Sequence, residues 1–574
     1  MVNEDLLRGS DFGFLGIQTE VHGEHGVLAT VWSLEGHLIL VAKPLVQIVE
    51  KRLEGNRISE ALPVGVSAGC TGNFHEEILA AITHIGAASG IATSVLVNED
   101  GAIVSSASAE HAPFRTPQPG WAEQDPEDWW RAAVEAIRAT LAAAPTPVQP
   151  IGGIGLTGQM HGAVLLDAAG NVLRPSLIWC DTRTQPECDW LHEQIGYERL
   201  IELTCNPALP NFTLTKLLWV KTHEPEIFAQ TAHILCPKDY VRFRLTGSYA
   251  IDVQEASGTL LLDVTHRRWS AEVAAAAGIP MAWLPPVYES TDVCATISPD
   301  AATVTGLTAG TPVVAGAGDQ GAGAVGMGIL APGSVSATIG TSGVVFAATA
   351  SPIRDPKGRL HTFCHAVPGR WHVMGVTQSA GLSFRWLRET FFAGQDYDAL
   401  TAAASAIAAG SDGLMWAPYL LGERTPHLDP EVRAAFAGIH SSHTAAHFTR
   451  AVLEGVAYSL GDSFTLFAEL GIPVSAIRLG GGGARGPLWR RIQAGVYGQP
   501  VEILTAEEGG AFGSALMAGV GAGHWASLDD ACAAAITVAE RILPDTESVA
   551  AYREGYARWR RLYPALASLH AGHR

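Results

Sequence analysis

The chain has 574 residues, 47% of them hydrophobic and 16% charged, and 37 Lys and Arg against 57 Asp and Glu leave a formal charge of −20. At about 150 residues per domain the length suggests roughly four units, which large α/β domains reduce to two; a chain this size buries enough core to need neither disulfides nor structural metals. The acidic balance argues against nucleic acid and anionic membrane surfaces as partners, because both ask for a basic face.

Met1–Ser10 carries acids and no apolar core, so no secretory signal is read there. Residues 1–80 hold strand-like runs at Val27–Trp32 and His37–Val41 and a helix candidate at Glu76–Ile82. Gly69-Cys70-Thr71-Gly72-Asn73 could cradle an anion or serve as an ordinary loop. No motif in this segment carries a chemical reason, and it is read as an N-terminal extension, residues 1–82. The cysteines at 70, 180, 188, 205, 236, 294, 364 and 532 form no CxxC pair and no zinc spacing, as expected of reduced thiols in a cytoplasmic protein.

From there short β-rich runs alternate with Ala- and Leu-rich helical patterns, the signature of an α/β fold. Ala92–Val97 reads as a strand and Asn98–Gly101 as a hairpin turn. Pro126 opens a helix running to about Ala144, and Ile151–Thr157 is a buried strand ending at Gly158. Gln159-Met160-His161-Gly162 follows it, placing an adaptable apolar wall beside an imidazole able to meet a sugar hydroxyl. Trp179-Cys180-Asp181-Thr182-Arg183 offers an aromatic face, an acid and a guanidinium. Asp181 and Arg183 could grip a polyol or pair with each other.

The pattern then restarts. Thr311–Gly318 reads as a strand delivering Asp319 and Gln320 among glycines, where a carboxylate suits a general base or a helix cap. The uncharged stretch Gln320–Ile353 is broken by Gly, Ser, Thr and Pro and is read as strands and tight loops rather than a membrane span. Within it Ser334–Gly343 forms a hairpin whose turn, Gly340-Thr341-Ser342, offers hydroxyls and backbone N–H groups to phosphate. Ala476–Gly480 is a strand running into Gly481, Gly482, Gly483 and Ala484 ahead of a helix from Pro487. Bare backbone there admits a flat ligand or close packing. A boundary near Leu330–Gly333 gives two similar lobes, 83–330 and 331–565, with a ligand cleft between them.

In order, Gln-Met-His-Gly (159–162), Trp-x-Asp-x-Arg (179–183), Asn-Pro-Ala-Leu-Pro (206–210), Lys-Leu-Leu-Trp (216–219) and Pro-Lys-Asp-Tyr (237–240) occupy the first half. Ala-Ser-Gly-Thr (256–259), Gly-Asp-Gln (318–320), Gly-Thr-Ser-Gly (340–343), Gly-Glu-Arg-Thr-Pro-His (422–427) and Gly-Gly-Gly-Ala-Arg (481–485) follow. This ordered set resembles the FGGY carbohydrate kinases, in particular their xylulose-acting branch, over about residues 92–565. The resemblance implies two actin-like, ribonuclease-H-like lobes closing on ATP–Mg²⁺ and a ketose, with D-xylulose 5-phosphate and ADP as products. It implies Asp319 as base, and Met160 and His161 as the substrate-binding pair, with Trp179, Asp181, Arg183 and Gln320 taken as further substrate-binding residues; Gly340, Thr341 and Ser342 follow as the phosphate loop, and Gly481, Gly482, Gly483 and Ala484 as the adenosine shelf. A homodimer is the expectation for an enzyme of this kind.

The departures are specific. The family opens with a strand and Asp-x-Gly-Thr, whose acid helps hold Mg²⁺, yet no aspartate stands between Cys70 and Glu99. His84-Ile85-Gly86 is the nearest counterpart, with Glu76 and Glu77 as other candidate acids; a His is a poor Mg²⁺ ligand. Two readings stay open: a kinase of reduced activity, or a non-catalytic sugar- or nucleotide-binding relative. Gln320-Gly321 in place of the usual Asn-Ala loosens the choice of ketose towards other ketoses or polyols. Asn211 stands where the family's first signature has a small or aromatic residue, and Gly495 where an Asp is common.

Overall fold

The computed structural model describes residues 17–19, 29–31, 33–34, 37–38, 78–86, 90–145, 150–505 and 509–570, with backbone only for those up to 86 and for 570. The chain divides into Met1–Phe74 and His75–Arg574. In the first unit Ile17–Thr19 pairs antiparallel with Ala29–Val31, and Ser33–Leu34 with His37–Leu38. The Gly69–Asn73 turn, Glu76 and Glu77 lie outside the described residues.

The second unit is an α/β body built on two seven-stranded sheets. The first sheet runs Ile103–Glu110, Ile91–Asn98, Ile78–Gly86, Ile151–Gly158, Pro312–Val314, Val293–Thr296, with Ala317–Gly318 also on Ile151–Gly158. The second runs His361–Cys364, Trp371–Thr377, Gly343–Thr349, Gly333–Ile339, Val474–Gly481, Val501–Leu504, Val538–Ile542. Both repeat one plan: a first strand pairs antiparallel with its successor on one side and parallel with a later strand on the other. That repeat is the two-lobed, actin-like architecture, with the cleft where the carboxyl ends of the parallel strands meet.

The Glu76–Ile82 helix expectation is overturned, because Ile78–Gly86 is a strand. A five-residue apolar run, Ile78 to Ile82, cannot by periodicity distinguish a buried strand from a helix. Here Ile91–Asn98 and Ile151–Gly158 each present an edge to it, so pairing on both sides decides the matter. The strand crosses the boundary expected between residues 82 and 83.

Elsewhere local chemistry set the elements. Asp125 caps Pro126–Ala143 by accepting the Glu127 N–H at 3.0 Å, and Pro126 at the first position has no N–H to satisfy. Gly509–Gly521 packs through small residues against Asp319–Gly326 and the first sheet. A Cβ on Gly513 would lie 1.9 Å from the Ala322 carbonyl oxygen, so only glycine permits the approach. Among the described residues no helix is long and apolar enough to cross a membrane.

Candidate active site

Asp319 is placed by the register of parallel strands. Ala317 pairs with Thr157 and Gly318 with Gly158, so the chains leaving these strands, Asp319 on one and Gln159-Met160-His161 on the other, emerge side by side. The preceding kink is anchored from below. Lys238 and Arg242 both donate to the Ala315 carbonyl, at 3.1 and 2.6 Å, and are themselves neutralised by Asp252 (2.9 Å from Lys238) and Asp239 (2.8 Å from Arg242). These four charged side chains are fully buried, where charges persist only when paired and hydrogen-bonded. Gln254 completes the support: its Oε1 accepts the Gly318 N–H at 2.8 Å and its amide nitrogen sits 3.4 Å from the Met160 sulfur.

His161 lies in the left-handed region, φ 68°, and is 7% exposed. Its Nδ1 stands 2.7 Å from the Gly258 carbonyl, which only accepts, so Nδ1 carries the proton and Nε2 is left as an acceptor. Burial lowers its pKa to about 3, with nearby Lys216 and Arg424 acting in the same direction. The imidazole is therefore neutral at physiological pH and presents a lone pair suited to a sugar hydroxyl. Its ring meets Phe212 edge-on at 5.3 Å, and Phe212 meets His361 at 5.5 Å.

On the other lobe, Ile339 pairs with Gly343 across the hairpin and with Gly481 on the parallel side, bringing Gly340-Thr341-Ser342 beside the glycine run. The turn is closed by Gly340 N–H to Ser342 O at 2.9 Å. Its carbonyls are held from behind: Gly381 donates to Gly340 O at 2.8 Å, and Ala380 and Leu382 to Thr341 O at 3.0 and 3.1 Å. Three of the four consecutive glycines, Gly480 to Gly483, are required by packing. A Cβ at Gly480, Gly481 or Gly483 would fall within 2.9 Å of Thr338 or Ile339 atoms, whereas Gly482 meets nothing nearer than 3.8 Å. Bare backbone still results, and it faces the cleft: Asp319, Gln320, Thr338, Gly480, Gly481 and Ala484 line a common cavity of about 220 Å³.

Asp181 and Arg183 are spent on each other. The guanidinium donates to the carboxylate at 2.7–3.0 Å, reaches Glu123 at 2.9 Å and stacks on Trp121 at 3.7 Å, leaving both side chains buried. Of the two uses open from sequence, the ion pair is the one formed. Trp179 packs half-buried against the core containing Trp129 and Ile178. Sequence reasoning singled out none of Gln254, Asn206, His361, Glu423 and Arg424; Asn206, Glu423 and Arg424 carried a signal only inside the Asn-Pro-Ala-Leu-Pro and Gly-Glu-Arg-Thr-Pro-His runs.

Known proteins of one family match both halves of this chain. The N-terminal domain of the FGGY family of carbohydrate kinases matches residues 85–326 and the C-terminal domain 335–522. Xylulose kinase of Bacillus subtilis is 39% identical over 470 residues, 82% of this chain and 94% of that protein. The Escherichia coli enzyme of the same name is 39% identical over 478 residues, 83% and 97% of the two chains. Among solved structures, a xyloylose kinase from Brucella ovis superposes with TM-score 0.80 at 36% identity, covering 86% of this chain and all of that one. Xylulose kinase from Rhodospirillum rubrum gives 0.79 at 32%, covering 87% and 100%. With both domain models matched in order and xylulose kinases 39% identical over most of both chains, this chain belongs to the FGGY family of carbohydrate kinases.

Proposed function

We propose that the protein transfers the γ-phosphoryl group of ATP to a ketose, converting D-xylulose to D-xylulose 5-phosphate. Residues 83–330 carry the sugar side and 331–565 the nucleotide side. One observation carries the reading: Asp319 leaves its strand beside Met160 and His161 and lines the same cavity as Gly480, Gly481 and Ala484. The names of the similar xylulose kinases support the choice of sugar.

His161 Nε2 accepts from a sugar hydroxyl, with Met160 and Gln320 beside it. Asp319 takes the proton of the terminal hydroxyl as its oxygen bonds to the γ-phosphorus and the bond to the β-phosphate oxygen breaks, releasing ADP. Gly340, Thr341 and Ser342 hold the phosphates through N–H and hydroxyl donors, and Gly481–Ala484 shelve the adenosine. Such transfers depend mainly on alignment and charge neutralisation. Mg²⁺ belongs to the nucleotide substrate; it draws its oxygens from phosphates and from at most one or two carboxylates, and supplies positive charge to the transferring group. A cytoplasmic homodimer completes the proposal, and sedimentation and cell fractionation test that part.

The decisive experiment couples ADP release to sugar addition. Saturable D-xylulose-stimulated turnover of folded protein with MgATP is expected, and its absence overturns the reading. Ketose binding in calorimetry without phosphorylation would select the non-catalytic alternative, which the missing aspartate between Cys70 and Glu99 favours.

A further inference from the structure

One short stretch of chain, residues 252–258, touches both Asp319's strand and the sugar contacts. Asp252 Oδ1 accepts the N–H groups of Gln254 and Glu255 at 2.9 and 3.0 Å, capping the helix Val253–Ser257. Its other oxygen lies 2.9 Å from the buried Lys238 ammonium. At the far end the Gly258 carbonyl accepts from His161 Nδ1. Gln254 sits between these anchors, fully buried, with its side chain laid against the backbone that delivers Asp319. The partners fix which way its amide points. The Gly318 N–H can only donate, so Oε1 faces it at 2.8 Å, and the NH2 group is left to donate to the Met160 sulfur, a weak acceptor, at 3.4 Å. One amide thereby joins the residue just before the base to a residue on the sugar side.

The glycines around this amide show how closely it fits. A Cβ on Gly318 would lie 2.4 Å from Met160 Cγ and 2.9 Å from Gln254 Oε1. Gly321 stands two residues beyond Asp319, in the first turn of the helix Asp319–Gly326. The three atoms nearest to a Cβ there are Gln254 Cδ, Cγ and Oε1, at 2.7, 2.8 and 3.0 Å, all of one side chain. Non-bonded carbons settle at about 3.5–4.0 Å, so a methyl group at 321 has room only if the amide moves away. The backbone at Gly321 is helical and outside the left-handed region, so its φ makes no demand for glycine. The Gln254 side chain does.

We infer that Gln254 is a positioning residue: its amide sets Asp319 against the sugar held by Met160 and His161, and Gly321 leaves the space that admits it. The role presupposes the proposed function, in which the base must meet one hydroxyl. Misplacing a reacting group by about 1 Å can cost about 10²-fold in rate.

Steady-state ADP release with saturating MgATP gives kcat, calorimetry gives D-xylulose affinity, and thermal unfolding shows whether each variant folds. Gln254→Met keeps the volume and the contact with Met160 but removes the acceptor for the Gly318 N–H. Its kcat should fall about 10- to 100-fold, with D-xylulose affinity staying within about threefold. A role confined to stability would lower the melting temperature and leave kcat of the folded enzyme alone. Gly321→Ala should reproduce the loss of kcat, because its Cβ displaces the amide. In the Gln254→Ala background, where the obstructing side chain is gone, Gly321→Ala should lower kcat by less than about twofold further. There it should also raise the melting temperature, since Ala is the better helix former. A folded Gln254→Met enzyme turning over at the wild-type rate overturns the inference, and so does a Gly321→Ala loss of the same size with and without Gln254. Should Gln254→Met not fold, Gly321→Ala in the two backgrounds decides alone. A wild type without D-xylulose-stimulated turnover overturns the kinase reading, and this role with it.

Discussion

Replacing His161 by Asn tests the sugar side through a stability measurement and a kinetic one. Asn tolerates the left-handed backbone at φ 68°, and its amide N–H can replace the Nδ1–H donated to Gly258 O. What the variant loses is the far nitrogen and the capacity to titrate. In the folded wild type the imidazole pKa is lowered from 6.5 to about 3 by burial. As pH falls below 6.5 the unfolded chain binds this proton and the folded chain does not, so wild-type stability declines at up to about 1.4 kcal/mol per pH unit until the folded pKa is reached. Between pH 7.5 and pH 5 that amounts to about 2 kcal/mol. Carboxyls raised by burial, Glu423 among them, work in the opposite direction, and comparison with the variant cancels them. Urea unfolding followed by tryptophan fluorescence should therefore show the wild-type advantage over His161→Asn shrinking by about 2 kcal/mol across this range. The ketose KM should rise about 3- to 10-fold, the worth of one net hydrogen bond, with kcat less affected. Parallel stability curves would refute a neutral, buried imidazole, and an unchanged KM would remove His161 from the sugar contacts.

Asp319→Asn keeps the shape and removes the base; kcat for D-xylulose should fall about 10²- to 10⁴-fold with sugar affinity, read by calorimetry, little changed. His84→Asp places an acid on Ile78–Gly86, the strand paired in parallel with Ile151–Gly158, and a kcat gain of at least about tenfold, or 1.4 kcal/mol, is expected; no gain would show that this position is not the family's acidic one. Gly513→Val forces a branched side chain where a Cβ would already stand 1.9 Å from Ala322 O, and should lower stability by about 1–3 kcal/mol or more in thermal or urea unfolding.

The elements that sequence made legible are those specified by neighbours in the chain. Asp125-Pro126 starts its helix where expected, and Ile151–Gly158, Gly333–Ile339 and Val474–Gly481 end where glycines end their apolar runs. Asp319 stood out for the same reason, as an acid among glycines at a strand end. What remained hidden was decided by partners far along the chain. Ile78–Gly86 becomes a strand because residues up to Gly158 pair with it. Asp181 and Arg183 close on each other because Glu123 and Trp121 complete their cage. Glu423 reaches Gln378 across 45 positions and Arg424 reaches Asn211 across 213, distances over which no local pattern carries information.

The repeated sheet plan sharpens the meaning of the missing acid. In the second lobe the first strand, Gly333–Ile339, turns through Gly340-Thr341-Ser342, and the parallel strand beside it ends at Gly481. The same position in the first lobe is the end of Ile78–Gly86, with Ile151–Gly158 and then Gln159-Met160-His161 beside it. Where the second lobe carries Gly-Thr-Ser-Gly, the first continues Gly86-Ala87-Ala88-Ser89-Gly90, with one hydroxyl instead of two and His84 two residues before its opening glycine. Two lobes built alike are thus chemically unequal: the second turns through two hydroxyl residues, while the first delivers Met160, His161 and Asp319 from adjacent strand ends. Under the proposed function the nucleotide side therefore rests on the second lobe's turn, whose carbonyls are held by the N–H groups of Ala380, Gly381 and Leu382.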